Sequence, residues 1–141
     1  VLLYSILIAN YEGVTGLYDR DILFKASISH DMARDNDSED LLHGEQSYQA
    51  LVNALGMTED KELEFLMKYH SRPDRQGINA LKSFPKDRQQ NLKKLLFILK
   101  DADALDRVRF GIRALDMNFL RLDFSKKLTF VTIQALKGIE L

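Results

Sequence analysis

The chain predicts an all-α fold, a single-domain helical bundle. Three observations carry this. Apolar residues recur at spacings of three and four in one segment after another, no segment sustains the two-residue alternation of a half-buried strand, and the only two prolines, Pro73 and Pro85, bracket one polar stretch. Length agrees: 141 residues, 45% of them hydrophobic, are enough for one core, and no linker, low-complexity tract or repeat divides residues 1–141.

The elements follow in order. Leu3, Ile6 and Leu7 predict a first, buried helix ended by Gly13 and Gly16. Asp19 is expected to cap the second, whose apolar residues Ile22, Leu23, Ala26 and Ile28 run into His30 and Asp31. After an acidic loop, "HGEQSYQALVNALGM" carries Tyr48, Leu51, Val52 and Leu55 on one stripe and closes at Gly56. Thr58 is the expected cap of "EDKELEFLMKYH", whose early acids suit the positive end of a helix dipole. Residues 72–86 are polar and predict a loop with one helical turn. The longest periodic run, "DRQQNLKKLLFILKDADALDRVRF", presents Leu92, Leu95, Leu96, Leu99 and Leu105 on a broad apolar face. "LDMNFLRLDFSKKL" is expected to close the core, Ser125 to cap a last helix and Gly138 to stop it. Met32, Met57, Met67 and Met117 lack cofactor spacing and are expected to pack.

Composition narrows the function. Twenty basic and twenty-one acidic residues give a net charge of -1, so bulk electrostatics call for neither nucleic acid nor an anionic membrane, and any phosphate recognition must be local. The absence of cysteine removes disulfides, zinc–thiolate sites and a thiol nucleophile, and is compatible with a reducing, cytoplasmic setting. "VLLYSILIAN" is about half the length of a spanning helix and lacks the basic flank of a signal peptide. The first residue is Val1, in mid-pattern, which suggests further residues upstream.

The chemistry concentrates in "SISHDMARDNDSEDLLHGEQS", which holds two of the three histidines. A helix ending in adjacent His30 and Asp31 offers an imidazole nitrogen and a carboxylate oxygen at one spot, a mixed set suited to a divalent transition metal. Further ligands must come from elsewhere: His43, His70 or the cluster Asp101, Asp103 and Asp106. That cluster lies in an apolar helix, where an unpaired carboxylate is costly to bury unless a metal or an arginine such as Arg107 or Arg109 offsets it. Asp35, Asp37, Glu39 and Asp40 read as a solvated loop face.

In order and type, "SHDMARDND", "LLHGEQS", "YHS" and "LKDADALDRVRF" resemble the HD-domain superfamily of metal-dependent phosphohydrolases and phosphodiesterases. The resemblance implies an HD-type bundle with a divalent metal (Mn, Co, Ni, Fe, Zn or Mg) on His30, Asp31 and a late aspartate. That aspartate aligns with Asp103, with Asp101 as the alternative. His43 and His70 would hold a second metal or the substrate phosphate, and Arg34, His43 and His70 would position the phosphate and move protons. The implied substrate is a phosphate ester or nucleotide. A narrower resemblance, to phosphodiesterase domains of bacterial effectors acting on ribosylated ubiquitin, belongs to the same class. The family's first metal histidine lies on the helix before the His-Asp pair, yet residues 1–29 contain none. Either it stands upstream of Val1, or the domain is degenerate and binds a phosphorylated ligand or a protein partner without turnover.

Overall fold

A computed structural model describes residues 1–36 and 40–139. Among them, seven α-helices and four short 3-10 turns account for the regular structure, with no strand, so the all-α bundle is the observed architecture. The helices are α1 (Leu2–Tyr11), α2 (Leu17–Ser29), α3 (His43–Leu55), α4 (Lys61–His70), α5 (Asp74–Ala80), α6 (Lys86–Asp106) and α7 (Asp123–Ile139). Central to the bundle is α6, which packs against α1, α2, α4 and α7, while α3 lies against α4. Its predicted face is the core: Leu92, Leu95, Leu96, Leu99 and Leu105 are all buried, with Ile98 and Ala102 beside them. No described helix is long and apolar enough to cross a membrane.

Where helices begin and end, several expectations are corrected. Leu3 and Leu7 of α1 are exposed, and the buried side is Ser5, Ile8 and Ala9. Because α1 is apolar almost all round, its sequence carries no phase, and small Ser5 and Ala9 let neighbours approach closely. Ser5 Oγ and Ser27 Oγ of α2 are hydrogen-bonded at 2.7 Å across that contact, Ser27 accepting. On α2, Ile28 is 70% exposed while Ser27 and Ser29 are buried, because each hydroxyl returns a hydrogen bond to a carbonyl four residues back. Leu55, the end of the predicted α3 stripe, is exposed beyond the contact with α4. Met32 and Met117 are also largely exposed, whereas Met67 is fully buried.

Gly13 adopts φ 72° just after α1, but Gly16 is the N-cap of α2 and does not end the first helix. Asp19 therefore lies inside α2, where it accepts from Arg88 and Asn91 of α6. The cap of α4 is Asp60, not Thr58: its carboxylate accepts from the N–H groups of Glu62 and Leu63 at 3.0 and 3.1 Å, an exchange the chain does not offer Thr58, which stays in the open connection. Ser125 is two residues inside α7 and buried, and α7 runs through Gly138 to Ile139, glycine alone being a weak stop signal. The polar stretch after Arg72 folds as α5 and a 3-10 turn, more helix than the expected single turn, with Pro73 at its N-cap.

One glycine sets how closely the site's helices approach. A Cβ on Gly44 would stand 2.0 Å from the carbonyl oxygen of Met67 and 3.2 Å from His70 Nδ1, so α3 crosses α4 at a point where only glycine fits. Gly44→Ala should therefore lower stability by about 1 to 3 kcal/mol through overpacking, read from the urea midpoint. Gly138→Ala, with nothing within 4 Å, should leave the midpoint unchanged or slightly raised.

Candidate metal centre

Four elements deliver the site. His30 caps the end of α2, with Asp31 in the following turn; His43 opens α3; His70 closes α4; Asp103 faces them from α6. All three histidines are buried, and the His70 ring meets those of His30 and His43 edge-on, at centroid distances of 4.9 and 4.8 Å.

Each ring is oriented by its other nitrogen. His30 Nδ1 donates to the carbonyl of Ser27 at 3.1 Å, His70 Nδ1 to that of Met67 at 2.6 Å, and His43 Nδ1 to that of Asp40. A carbonyl can only accept, so in the neutral rings the proton sits on Nδ1 and every Nε2 presents a lone pair inward. Those nitrogens meet two carboxylates. His30 Nε2 lies 3.4 Å from Asp103 Oδ1 and 3.5 Å from Asp31 Oδ2, while Asp31 Oδ1 lies 3.0 Å from His43 Nε2 and 3.6 Å from His70 Nε2. His43 Nε2 and His70 Nε2 are themselves 3.0 Å apart. Among the described residues neither His30 Nε2 nor Asp31 Oδ1 has a hydrogen-bond partner, although both atoms are buried.

Lone pairs and anions packed in this way repel unless a cation or proton lies among them. Two groups, His30 with His70 and Asp103, and Asp31 with His43 and His70, keep one ligand atom per residue within 4.8 Å of one another. Ligands around one tetrahedral ion at bond lengths of about 2.0 to 2.2 Å stand about 3.4 Å apart, close to the separations here. The buried donors therefore fit a divalent metal in donor type and spacing, and His70 is common to both groups.

The other two cluster aspartates are engaged elsewhere. Asp101 is fully buried and accepts from the backbone N–H groups of Arg121 and Leu122 and from the Arg121 guanidinium. Its arginine partner is thus Arg121, from the stretch expected only to close the core, and not Arg107 or Arg109; Asp103 is the aspartate of the three that stands against a histidine. Asp106 pairs with Arg109 at 3.1 Å and with Val1 N at 3.2 Å, which places the start of α1 one turn of α6 from Asp103.

Arg121 also grips Asp74 through two nitrogens, and Asp74 receives buried Lys100, whose ammonium additionally bonds the Arg72 carbonyl. Sequence reasoning missed this network. Its one available signal was the charge of Lys100 and Asp101 inside an apolar run.

Arg34 lies beside the site, with Nη1 3.6 Å from Asp31 Oδ2 and Nε donating to the Asn36 carbonyl. Asp40 contributes through its backbone carbonyl, and its carboxylate accepts from the Leu42 N–H. Asp35 is exposed, consistent with a solvated loop face, whereas Asp37 and Glu39 lie outside the described residues. Three adjoining depressions, of about 170, 240 and 440 Å³, open onto the centre, and Asp103 lines all of them.

The ionisation pattern follows from these contacts. Burial works against a charged His30, but the carboxylates of Asp103, 3.4 Å from Nε2, and of Asp31 outweigh it and raise the ring above its ordinary value. Burial dominates at His70 and lowers it. Burial favours the neutral acids, yet His43 and His70 hold Asp31, and His30 holds Asp103, below the usual carboxylate range.

No protein-family model matches the chain, and neither does any curated protein or solved structure.

In the metal-free protein the His30 ring should titrate above, and the His70 ring below, the ordinary value of about 6.5, measured by NMR of the imidazole C–H groups. Asp103→Asn should move the His30 titration downward. By linkage, the His30 contribution to stability is present below about 6.5 and lost as pH rises through its folded value, whereas those of Asp31 and Asp103 are present above about 4 and lost as pH falls through theirs.

Proposed function

We propose that the protein is a metal-dependent phosphohydrolase or phosphodiesterase of the HD type. The observation that supports this best is the convergence of three buried Nε2 atoms and two carboxylates, each ring oriented by a carbonyl, at the floor of an open cavity. The order of the motifs along the chain supports the same reading.

In this reading the ligand set is the one the resemblance implies, His30, Asp31 and Asp103 for one divalent ion, with His43 and His70 holding a second ion or the substrate phosphate; the donors within 4.8 Å of one another group differently, as His30, His70 and Asp103 and as Asp31, His43 and His70. Mixed imidazole and carboxylate donors suit Mn, Fe, Co, Ni or Zn better than Mg, which prefers oxygen alone. The chemistry a divalent ion supplies when bound there is polarisation of a phosphoryl oxygen and acidification of a water nucleophile. Arg34 contributes charge near Asp31, and where His43 and His70 face the phosphate rather than a second ion, one of them takes up a proton at Nε2. Burial holds His70 neutral, the form that can accept one. The substrate is a phosphate ester, with nucleotides included.

A second reading, a site that binds a phosphorylated ligand or a protein partner without turnover, is favoured by one observation: residues 1–29, which build α1 and most of α2, contain no histidine. The resemblance asks for one on the helix before His30.

Calorimetric titration with Mn or Ni should show binding that His30→Ala and Asp103→Asn each weaken by about tenfold or more. Unchanged binding in both variants would refute the ligand set. Affinity should fall as pH drops through the histidine range, because the ring must shed its proton to ligate and His30 holds that proton more tightly than usual. A screen of phosphate mono- and diesters with Mn, Co, Ni and Mg should reveal turnover abolished by chelation; tight binding of phosphate esters with no turnover would select the second reading.

A further inference from the structure

We propose that Arg107 is the residue that grips the phosphoryl group of the substrate, a role that rests on reading the centre as a phosphoester site. Arg107 follows Asp103 by four residues, so both side chains leave the same face of the chain one turn apart. Like Asp103, Arg107 lines all three depressions over the centre, and it is exposed to solvent.

Its freedom sets it apart. Every other cation lining those depressions is engaged: Arg34 lies beside Asp31, Arg109 pairs with Asp106, Lys100 with Asp74, and Arg121 with Asp101 and Asp74. Among the described residues, Arg107 makes no side-chain hydrogen bond or ion pair. Among the described residues its charge is therefore the one lining these depressions that no carboxylate offsets.

The backbone beneath it is nonetheless fixed. Arg107 is the C-cap of α6, and its neighbours Leu105 and Val108 are buried, so the guanidinium is displayed from an anchored turn. The negative end of the α6 dipole favours a cation at that position. A guanidinium presents parallel N–H donors that match two phosphoryl oxygens, which a point charge does not.

Inorganic phosphate, titrated calorimetrically at low salt with and without Mn, tests the assignment. Arg107→Gln should weaken phosphate binding by about tenfold, the scale of one charge-assisted hydrogen bond, with Arg107→Lys falling between. The control is Arg113→Gln, which removes an exposed charge from the same connection outside the three depressions and should change affinity by less than about twofold. Mn affinity should be the same in Arg107→Gln as in the unmodified protein. Equal phosphate affinity in Arg107→Gln and the unmodified protein, or an equal loss in Arg113→Gln, would overturn the proposal. The two readings fail separately. Phosphate binding that depends on Arg107 without any Mn binding would overturn the metal centre and uphold Arg107, whereas Mn-dependent ester turnover indifferent to Arg107 would uphold the centre and overturn Arg107.

Discussion

Three histidines on three helices each turn Nδ1 to the carbonyl three residues earlier: His30 to Ser27, His43 to Asp40 and His70 to Met67. The rest of the structure is arranged around that repeated bond. It fixes the tautomer, fixes the ring plane and leaves Nε2 as the only nitrogen available to the centre. It also fixes where the histidines can stand. At a helix end a carbonyl is free to accept, whereas inside a helix the same carbonyl is committed to the ladder. His30 and His70 accordingly end α2 and α4, and His43 takes its carbonyl from the loop before α3.

The bundle supplies the approach those ends require. Gly44 lets α3 press against the backbone of α4, which brings His43 and His70 within 3.0 Å at their Nε2 atoms. The long α6, apolar along its buried face, carries Asp103 to the same point while committing Asp101 elsewhere. The Asp74–Lys100–Arg121–Asp101 network then ties the start of α5, the end of α6 and the chain entering α7 to one another. Removing one member of a buried ionic network leaves another uncompensated, so its members act as a unit. Two of its members, Lys100 and Arg121, form part of the wall of the depression that His70, Asp103 and Arg107 also line.

Charge follows the same logic. The whole chain is almost neutral, and most of its cations near the site are spent on neighbouring carboxylates. Local potential at the mouth therefore depends on which cation is left over, a quantity that bulk composition does not contain.

The sequence by itself determined the class of fold, the core face of α6 and the identity of the metal-capable residues. The His-Asp pair at a helix end, the carboxylates of the "KDADALD" run and the two later histidines were legible because each is chemically unusual in its surroundings. Phase and partnership were not legible. The apolar opening helix carries no periodic bias, so only its neighbours decide that Ser5 and Ala9 point inward and Leu3 and Leu7 outward. Asp101 and Asp103 are two positions apart on one helix and equally costly to bury by sequence; tertiary structure separates them by giving one the backbone and guanidinium of Arg121 and the other the ring of His30. Capping divided the same way, since Asp60 and Thr58 are both competent caps and the site of helix initiation is settled by packing. Local chemistry names the groups, but the free energy of a buried charge depends on what stands opposite it, and that is fixed only when distant segments meet.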